Sequence, residues 1–219
     1  MMEIFATFKN KILTTTGLLT LFAIVSAILV GITFYQTRDA IKHNEELILL
    51  RQLNTIIPQD SYDNDLLSDT ITIKANHQLG TTEDTIAYRA RKGEADVAVV
   101  FSSIAPDGYN GPIHILVGVR EDARIAGVRV VKHRETPGLG DAVSMTHSDW
   151  ILGFDNHSLT DPVSERWKVK RDGGIFDQFT GATITPRAVV KAVHEALLYF
   201  SKNKETLFKK NTEAAKQKS

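Results

Sequence analysis

Residues 113–131, IHILVGVREDARIAGVRVV, contain two apolar runs separated by a short polar segment. In the first run, isoleucine and valine recur at every second position, which places them on one face of a strand. The second run, 125–131, follows the polar residues 120–123 and is again rich in isoleucine and valine. Two such runs joined by a short polar segment are typical of an antiparallel hairpin, and this hairpin decides the predicted fold.

Further elements surround the hairpin. Strand patterns occur at residues 71–73, 86–91 and 96–101. Helices are expected over residues 142–154 and, with a clear apolar period near 3.6, over residues 186–200. Because strands and helices intermix without a regular βαβ repeat, the predicted fold class is α+β, with an antiparallel sheet and flanking helices.

The N-terminal region predicts a membrane anchor. Residues 12–35 carry no charge and would form a helix of about 36 Å, enough to cross a hydrocarbon core of about 30 Å. A cleaved signal peptide is the alternative, but its apolar region would be shorter and would end at small residues. Basic residues flank both ends, so charge alone does not decide the orientation. We expect a single uncleaved transmembrane helix before the α+β domain.

The remaining segments complete the predicted organisation. Apolar residues at spacings of three and four predict a helix over residues 37–57 that Pro58 ends. We expect this membrane-proximal helix to pack on the chain's own domain, and a partner-binding helix is the alternative. The lysine-rich C-terminus has few apolar residues and is expected to be flexible. The predicted regions are the N-terminus and anchor at 1–36, a membrane-proximal helix and linker at 37–70, the folded domain at 71–201 and a basic flexible tail at 202–219.

Composition narrows the possible functions. The chain of 219 residues has 26 basic and 26 acidic residues, and this zero net charge argues against a general nucleic-acid-binding protein. It has no cysteine, which excludes disulfides, iron–sulfur clusters and a cysteine nucleophile, so any redox centre must be held without sulfur. The histidines show no pair at the helical spacing of a metal site, and no GxSxG motif is present. We therefore predict neither a metal site nor a catalytic residue.

Residues 177–186, DQFTGATITP, place hydroxyl and carboxylate side chains around a Gly-Ala pair directly before a predicted helix. We expect Thr185 to cap this helix and Pro186 to occupy its first position, where the missing N–H costs nothing. Free N–H groups at a helix start attract anions, and Gly181 permits a ligand to approach the backbone. The segment is a candidate phosphate site, and a plain helix cap is the alternative interpretation.

Residues 173–190 also resemble the flavinylation motif of the FMN-binding domain family, which reads Asp, two residues, Ser or Thr, Gly, Ala, and Thr or Ser. In that family the final threonine carries FMN through a phosphoester bond that a Mg²⁺-dependent flavin transferase forms. The resemblance implies that the folded domain is an FMN-binding domain and that Thr183 carries the covalent FMN. It assigns neighbouring roles to Asp177, Thr180, Gly181 and Ala182, with Asp177 serving recognition or metal binding by the transferase.

Residues 107–113, the hairpin and residues 135–140 occur in the same order in the G subunits of the Rnf (Rsx) electron-transport complexes, which the chain resembles over most of its length. The resemblance implies an electron-transfer subunit that is not catalytic alone and works with subunits A, B, C, D and E. Such complexes couple electron flow between ferredoxin and NAD to ion translocation. The implied location is the bacterial inner membrane, in contact with lipid, with the N-terminus in the cytoplasm and the C-terminal domain facing the periplasm.

The resemblance also implies that two loops lie beside the flavin. The expected residues are Glu135, Thr136, Gly138, Leu139 and Gly140, together with Tyr109 at an edge of the ring. Two alternatives stay open. The C subunit of the sodium-pumping quinone reductase shares the flavin motif but is typically longer. A flavin-free, membrane-anchored scaffold would give the hydroxyl of Thr183 no special role.

Overall fold

The computed structural model describes residues 2–209, with side chains from residue 15 onward. In chain order its α-helices and strands are α1 (Met2–Ile56), β1 (Thr70–Ile73), β2 (Thr85–Lys92), β3 (Ala95–Ala105), β4 (Ile113–Arg120), β5 (Ile125–Lys132) and α2 (Ile184–Phe208). The chain divides into two compact units, one ending at Leu49 and the other beginning at Leu50.

Helix α1 carries large apolar side chains, such as Leu18 and Phe22, that are exposed in its unit. Among the described residues it is the one helix long and apolar enough to cross a membrane. The hydroxyls of Thr20 and Thr33 each donate to the carbonyl four residues earlier, at 2.9 Å, so they need no water. The helix matches the predicted anchor, but it continues without a break past residue 36 and ends just before Pro58.

The five strands form an antiparallel sheet in chain order, β1 to β5. The predicted hairpin is confirmed: β4 pairs with β5, and Val117 lies opposite Val128. On the other side of β4, Phe101 of β3 lies opposite the same valine. Helix α2 packs against this face, and its buried side chains include Val189, Val190, Val193, Leu197 and Phe200. The α+β fold is therefore confirmed.

Residues 50–57, from the end of α1, cover the opposite face of the sheet. Because side chains alternate along a strand, Gly118 and its cross-strand partner Gly127 face away from α2. A Cβ at Gly118 would overlap Cγ2 of Ile56, so glycine is needed for this close approach. Leu53 and Ile56 are buried as a result. The end of α1 thus packs on the folded domain, ahead of residue 71, where the sequence placed the start of that domain.

Helix α2 is longer than predicted at both ends. It begins at Ile184 and continues to Phe208, because Leu207 and Phe208 are buried in the core. Residues 202–208, predicted as the start of a flexible tail, are therefore helical. The predicted tail from residue 210 onward lies outside the described residues.

Two buried arginines of β2 hold the end of α2, and we call them, with Asp69, the arginine clasp. Arg91 donates to the carbonyl of Phe208 at 2.8 Å, and Arg89 donates to the carbonyl of Lys209. Asp69 pairs with Arg89 at 2.5 Å and with Arg91 at 2.8 Å. Arg91 also pairs with Asp96, so two carboxylates balance the two buried guanidinium groups. The arginines of the clasp supply donors to carbonyls that a helix end leaves unpaired.

The predicted helix over residues 142–154 is wrong. The segment contains two short 3₁₀ helices, Gly140–Val143 and Asp149–Phe154, with an irregular stretch between them. Ser148 explains the interruption, because its hydroxyl donates to the carbonyl of Ala142 at 2.8 Å and accepts the N–H of Trp150 at 3.1 Å. Serine side chains compete with regular helices through such local hydrogen bonds.

Candidate functional site

A tight turn presents the motif that the sequence analysis singled out. The N–H of Ala182 donates to the carbonyl of Phe179 at 3.2 Å, and Gly181 has a φ of 81°. Turns with a positive φ at the third residue favour glycine there. Trp150 supports the turn: its indole N–H donates to the carbonyl of Asp177 at 2.8 Å, and its ring centroid lies 5.2 Å from that of Phe179.

Thr183 follows this turn and immediately precedes the first helical residue of α2. Its hydroxyl makes no capping hydrogen bond, and its side chain is half-buried. The prediction that Thr185 caps the helix is wrong, because α2 begins at Ile184 and both Thr185 and Pro186 lie in its first turn. N–H groups of a first turn have no partner within the helix and make this end partly positive. The hydroxyl of Thr183 is therefore free of a capping role at the positive end of α2.

The loop after β5 packs against the start of α2. The carbonyl of Thr136 accepts the N–H groups of Leu139 and Gly140, both at 3.1 Å, and this closes the loop into a compact turn. A Cβ at Gly140 would lie 2.8 Å from a carboxylate oxygen of Glu135 and 2.9 Å from the hydroxyl oxygen of Thr185. Only glycine permits so close an approach.

Glu135 joins three segments of the chain, although its side chain is only 4% exposed. Its Oε1 accepts the N–H of Asn110 at 3.1 Å, and its Oε2 accepts the hydroxyl of Thr185. The side-chain amide of Asn110 also donates to the hydroxyl of Thr136 at 3.0 Å. These bonds connect the loop before β4, the loop after β5 and the first turn of α2, and they compensate the cost of burying the carboxylate.

These segments enclose a cavity of about 330 Å³, which we call the site cavity. Its size falls at the lower end of small-molecule sites, about 300–1,000 Å³. Three apolar side chains of its wall are partly open to solvent, with Tyr109 65%, Leu139 45% and Ile184 47% exposed. The lining residues are Tyr109, Glu135, Thr136, Leu139, Gly140, Gly181, Ala182, Thr183, Ile184 and Thr185.

The arrangement fits FMN. The apolar walls suit a flat aromatic ring, and Thr183 is among the residues that line the cavity. The start of α2 favours the negative charge of a phosphate group. The glycines of both turns leave the backbone accessible to a ligand.

Three predicted residues do not line the site cavity. Asp177 is exposed and pairs with Lys170 at 2.6 Å. Thr180 is exposed within the tight turn, and Gly138, with a φ of 76°, has nothing within 4 Å of the position that a Cβ would take. They shape or flank the turns, whereas the other predicted residues surround one space.

Sequence reasoning missed Asn110, Ile184 and the contact of Thr185 with Glu135. The turn-forming residues around Asn110 predicted a loop, but the sequence did not indicate that Asn110 bonds to Glu135 and Thr136. Ile184 could have been found only by placing the start of α2 correctly. In the part of the chain that the structure describes, no group of three or more acidic or histidine side chains is arranged to hold a metal ion.

An exposed ion pair ties the first turn of α2 to the loop before the motif. Arg187 donates to both carboxylate oxygens of Asp172, each at 2.6 Å. These hydrogen bonds lower the pKa of Asp172. Exposed pairs contribute little to stability, but this bidentate geometry fixes the direction in which the chain enters the motif.

Comparisons with known proteins agree with this arrangement. The chain matches the RnfG N-terminal region over residues 1–56 and the FMN-binding domain over residues 108–198. It is 44% identical over 209 residues to a Pseudoalteromonas atlantica protein named as the G subunit of an ion-translocating oxidoreductase complex, covering 95% of this chain and 97% of that relative.

Proteins of the same name from two other bacteria are similarly close. The Vibrio atlanticus relative is 49% identical over 189 residues, covering 86% of this chain and 90% of the relative. The Pseudomonas aeruginosa relative is 46% identical over 199 residues, covering 91% and 93%. The matched regions include the anchor, the hairpin and all the residues that line the site cavity.

Proposed function

The chain belongs to the family of G subunits of ion-translocating oxidoreductase complexes, with an FMN-binding domain, and from this premise we propose that it carries FMN covalently on Thr183 through a phosphoester bond. The tethered flavin serves electron transfer in an Rnf-type membrane complex. No residue of the chain need act as an acid, base or nucleophile during turnover.

One observation carries the proposal: the hydroxyl of Thr183 is free of a capping hydrogen bond at the positive end of α2, and Thr183 lines the site cavity. A threonine at a helix start normally uses its hydroxyl to cap the helix. Here the hydroxyl is available to a transferase. The phosphodiester that replaces it would keep one negative charge beside the unpaired N–H groups of the first turn.

The flavin supplies a redox centre that passes one or two electrons without any cysteine ligand. The residues of the cavity would hold its ring, with Leu139 and Ile184 as an apolar wall and Tyr109 at an edge. Asp177, which lies outside the cavity and close to the turn in sequence, would serve recognition by the flavin transferase.

The setting of the protein follows from the family. We expect it to work with subunits A, B, C, D and E of the complex, which would couple electron flow between ferredoxin and NAD to ion translocation. Helix α1 would cross the bacterial inner membrane in contact with lipid, with the C-terminal domain on the periplasmic side. The relatives reported above are named as G subunits, which favours this assignment over the C subunit of a sodium-pumping quinone reductase.

The attachment is tested by expressing the full chain with an exported flavin transferase. The wild type should give a fluorescent band on a denaturing gel and a mass gain of one FMN less one water. Thr183→Val, which nearly keeps the shape of the side chain, should lose both signals completely while remaining folded by circular dichroism. Thr146→Val, at an exposed threonine outside the cavity, should keep both.

Two outcomes would contradict the proposal. A dark wild-type band of unmodified mass, with the transferase active on a control protein, would favour the flavin-free scaffold. A Thr183→Val chain that still gains the mass of FMN would move the attachment to another residue.

A further inference from the structure

The side-chain charge in the lining of the site cavity is of one sign. Of the residues that line it, Glu135 is the only one with a charged side chain, and the lining contains no lysine, arginine or histidine. The proposed phosphoester fixes the phosphate at Thr183, beside the first turn of α2, and the apolar side chains of the wall suit the uncharged aromatic ring. On the proposed function, the ring of the tethered FMN is therefore the part that lies next to Glu135.

The carboxylate of Glu135 is held in a fixed place. Both of its oxygens accept hydrogen bonds, from the N–H of Asn110 and from the hydroxyl of Thr185, so two other segments of the chain hold the carboxylate. Glu135 is 4% exposed, so water and salt screen a charge at this position weakly. A ligand in the cavity would lie beside this carboxylate in the wall.

We infer that Glu135 lowers the midpoint potential of the FMN carried by Thr183. Two electrons and one proton convert the neutral oxidised ring into a reduced ring with one negative charge, and a second proton neutralises it. A fixed carboxylate in the wall opposes the negative charge and so opposes electron uptake. The inference rests on the proposed function and gives Glu135 a role in setting the redox properties of the site, besides joining its three segments.

The test uses the full flavinylated chain in detergent. Wild type and Glu135→Gln, each shown by intact mass to carry FMN, are titrated anaerobically at one pH with a low-potential chemical reductant, and flavin absorbance is followed. Glu135→Gln keeps the size of the side chain and removes its charge. Its midpoint potential should be more positive, with the equilibrium constant for two-electron reduction at least tenfold larger, or about 30 mV.

A second variant separates charge from loosening of the site. Thr185→Val removes the hydrogen bond to Oε2 but leaves the carboxylate charged, so its potential should stay the same or become lower. If loss of rigidity in the site caused the shift, the midpoint potentials of Glu135→Gln and Thr185→Val would change in the same direction. Glu121→Gln serves as a distant control, because Glu121 pairs with Lys204, about 30 Å along α2 from Thr183 at about 1.5 Å per residue.

If Glu135→Gln does not fold, the reverse change gives the answer. Thr136→Asp adds a second carboxylate to the same wall, in a position to accept the hydrogen bond from Asn110. Relative to Thr136→Asn, it should lower the midpoint potential, with an equilibrium constant for two-electron reduction at least tenfold smaller.

Three results would overturn the inference. The first is an equilibrium constant for two-electron reduction of Glu135→Gln that lies within tenfold of the wild-type value. The second is a positive shift of the midpoint potential that Thr185→Val shares, and the third is a folded Glu135→Gln chain that carries no FMN. The last would make Glu135 a residue needed for attachment. A wild type without FMN would instead contradict the proposed function itself.

Discussion

Gly181 and Gly173 share a backbone conformation, with φ of 81° and 85°, but only Gly181 lines the site cavity. A Cβ at Gly181 would make an ordinary contact of 3.6 Å with Leu139, and a Cβ at Gly173 would meet nothing within 4 Å. Neither position is crowded, so the strain that a side chain introduces comes from the left-handed backbone. The two glycines therefore form a matched pair for separating backbone strain from an effect on the site.

We expect Gly181→Ala and Gly173→Ala each to lower the free energy of unfolding by about 1–2 kcal/mol, measured by urea denaturation. Only Gly181→Ala should also reduce flavin loading, because its methyl group would stand between the turn and the apolar wall of the cavity. Loading is read from gel fluorescence at equal protein. Equal loading of the two variants would contradict a specific role of Gly181.

Single residues were predictable where a local pattern fixes their role, and less so where a distant partner does. The resemblance to the flavinylation motif singled out Thr183, and the structure shows that it lines the site cavity. Thr183 and Thr185 have the same tendency to cap a helix, so the sequence could not choose between them. A tertiary contact decides which threonine is free, because the hydroxyl of Thr185 donates to Glu135, fifty residues earlier in the chain.

At the scale of elements, α2 connects the site to the arginine clasp. Its first turn follows Thr183, and its last carbonyls accept hydrogen bonds from Arg89 and Arg91. Removing one member of a buried ion pair leaves the partner charge uncompensated, which costs more than the pair itself contributes. The clasp is therefore the point at which a change far from the cavity should weaken α2 most.

Arg91→Met should lower the free energy of unfolding by about 3–5 kcal/mol, because Asp96 and Asp69 each lose an ion-pair partner and the carbonyl of Phe208 loses its donor. Lys204→Met is the control: it breaks an exposed pair with Glu121 and should cost less than about 1 kcal/mol. Chemical denaturation of the two variants in detergent measures the difference. Similar losses in both would show that the clasp is no more important than a surface pair.

The strands and the core of α2 could be predicted because their apolar periods are local. The clasp could not, because arginine at alternate positions of a strand ordinarily indicates a solvent-facing side. In β2 that side meets the end of α2, where helix carbonyls and Asp69 satisfy the guanidinium groups. The predicted helix over residues 142–154 was wrong for a related reason, because the local hydrogen bonds of Ser148 interrupt a regular helix there.

For the molecule as a whole, the sequence predicted an anchor, a membrane-proximal helix that packs on its own domain, and one α+β domain, but it did not show at which residue that helix joins the compact unit. Residues 50–57 continue the helical pattern of α1, so periodicity alone could not separate them from the anchor. Their place in the domain depends on the glycines of β4 and β5, which open a surface for Ile56. The compact unit accordingly begins at Leu50, before the first strand.

A chain that begins at residue 50 should therefore fold as a soluble domain, and a chain that begins at residue 58 should not. The second loses Leu53, Ile56 and Ile57, all nearly fully buried, which together contribute about 5–9 kcal/mol at about 1.5–3 kcal/mol each. That loss is comparable to the whole stability of a typical domain, about 5–15 kcal/mol.

Soluble yield, thermal unfolding and flavin loading by the transferase compare the two truncated chains, and a chain that begins at residue 37 is the control for length. The chains from residues 37 and 50 should unfold at similar temperatures and load FMN alike, since the contacts that build the site lie within the unit that starts at Leu50. Because the sheet face that Ile56 covers would be exposed, the chain from residue 58 should aggregate or unfold at a much lower temperature. If the chains from residues 50 and 58 were equally stable, the folded domain would begin at β1, and the end of α1 would only connect the anchor to it.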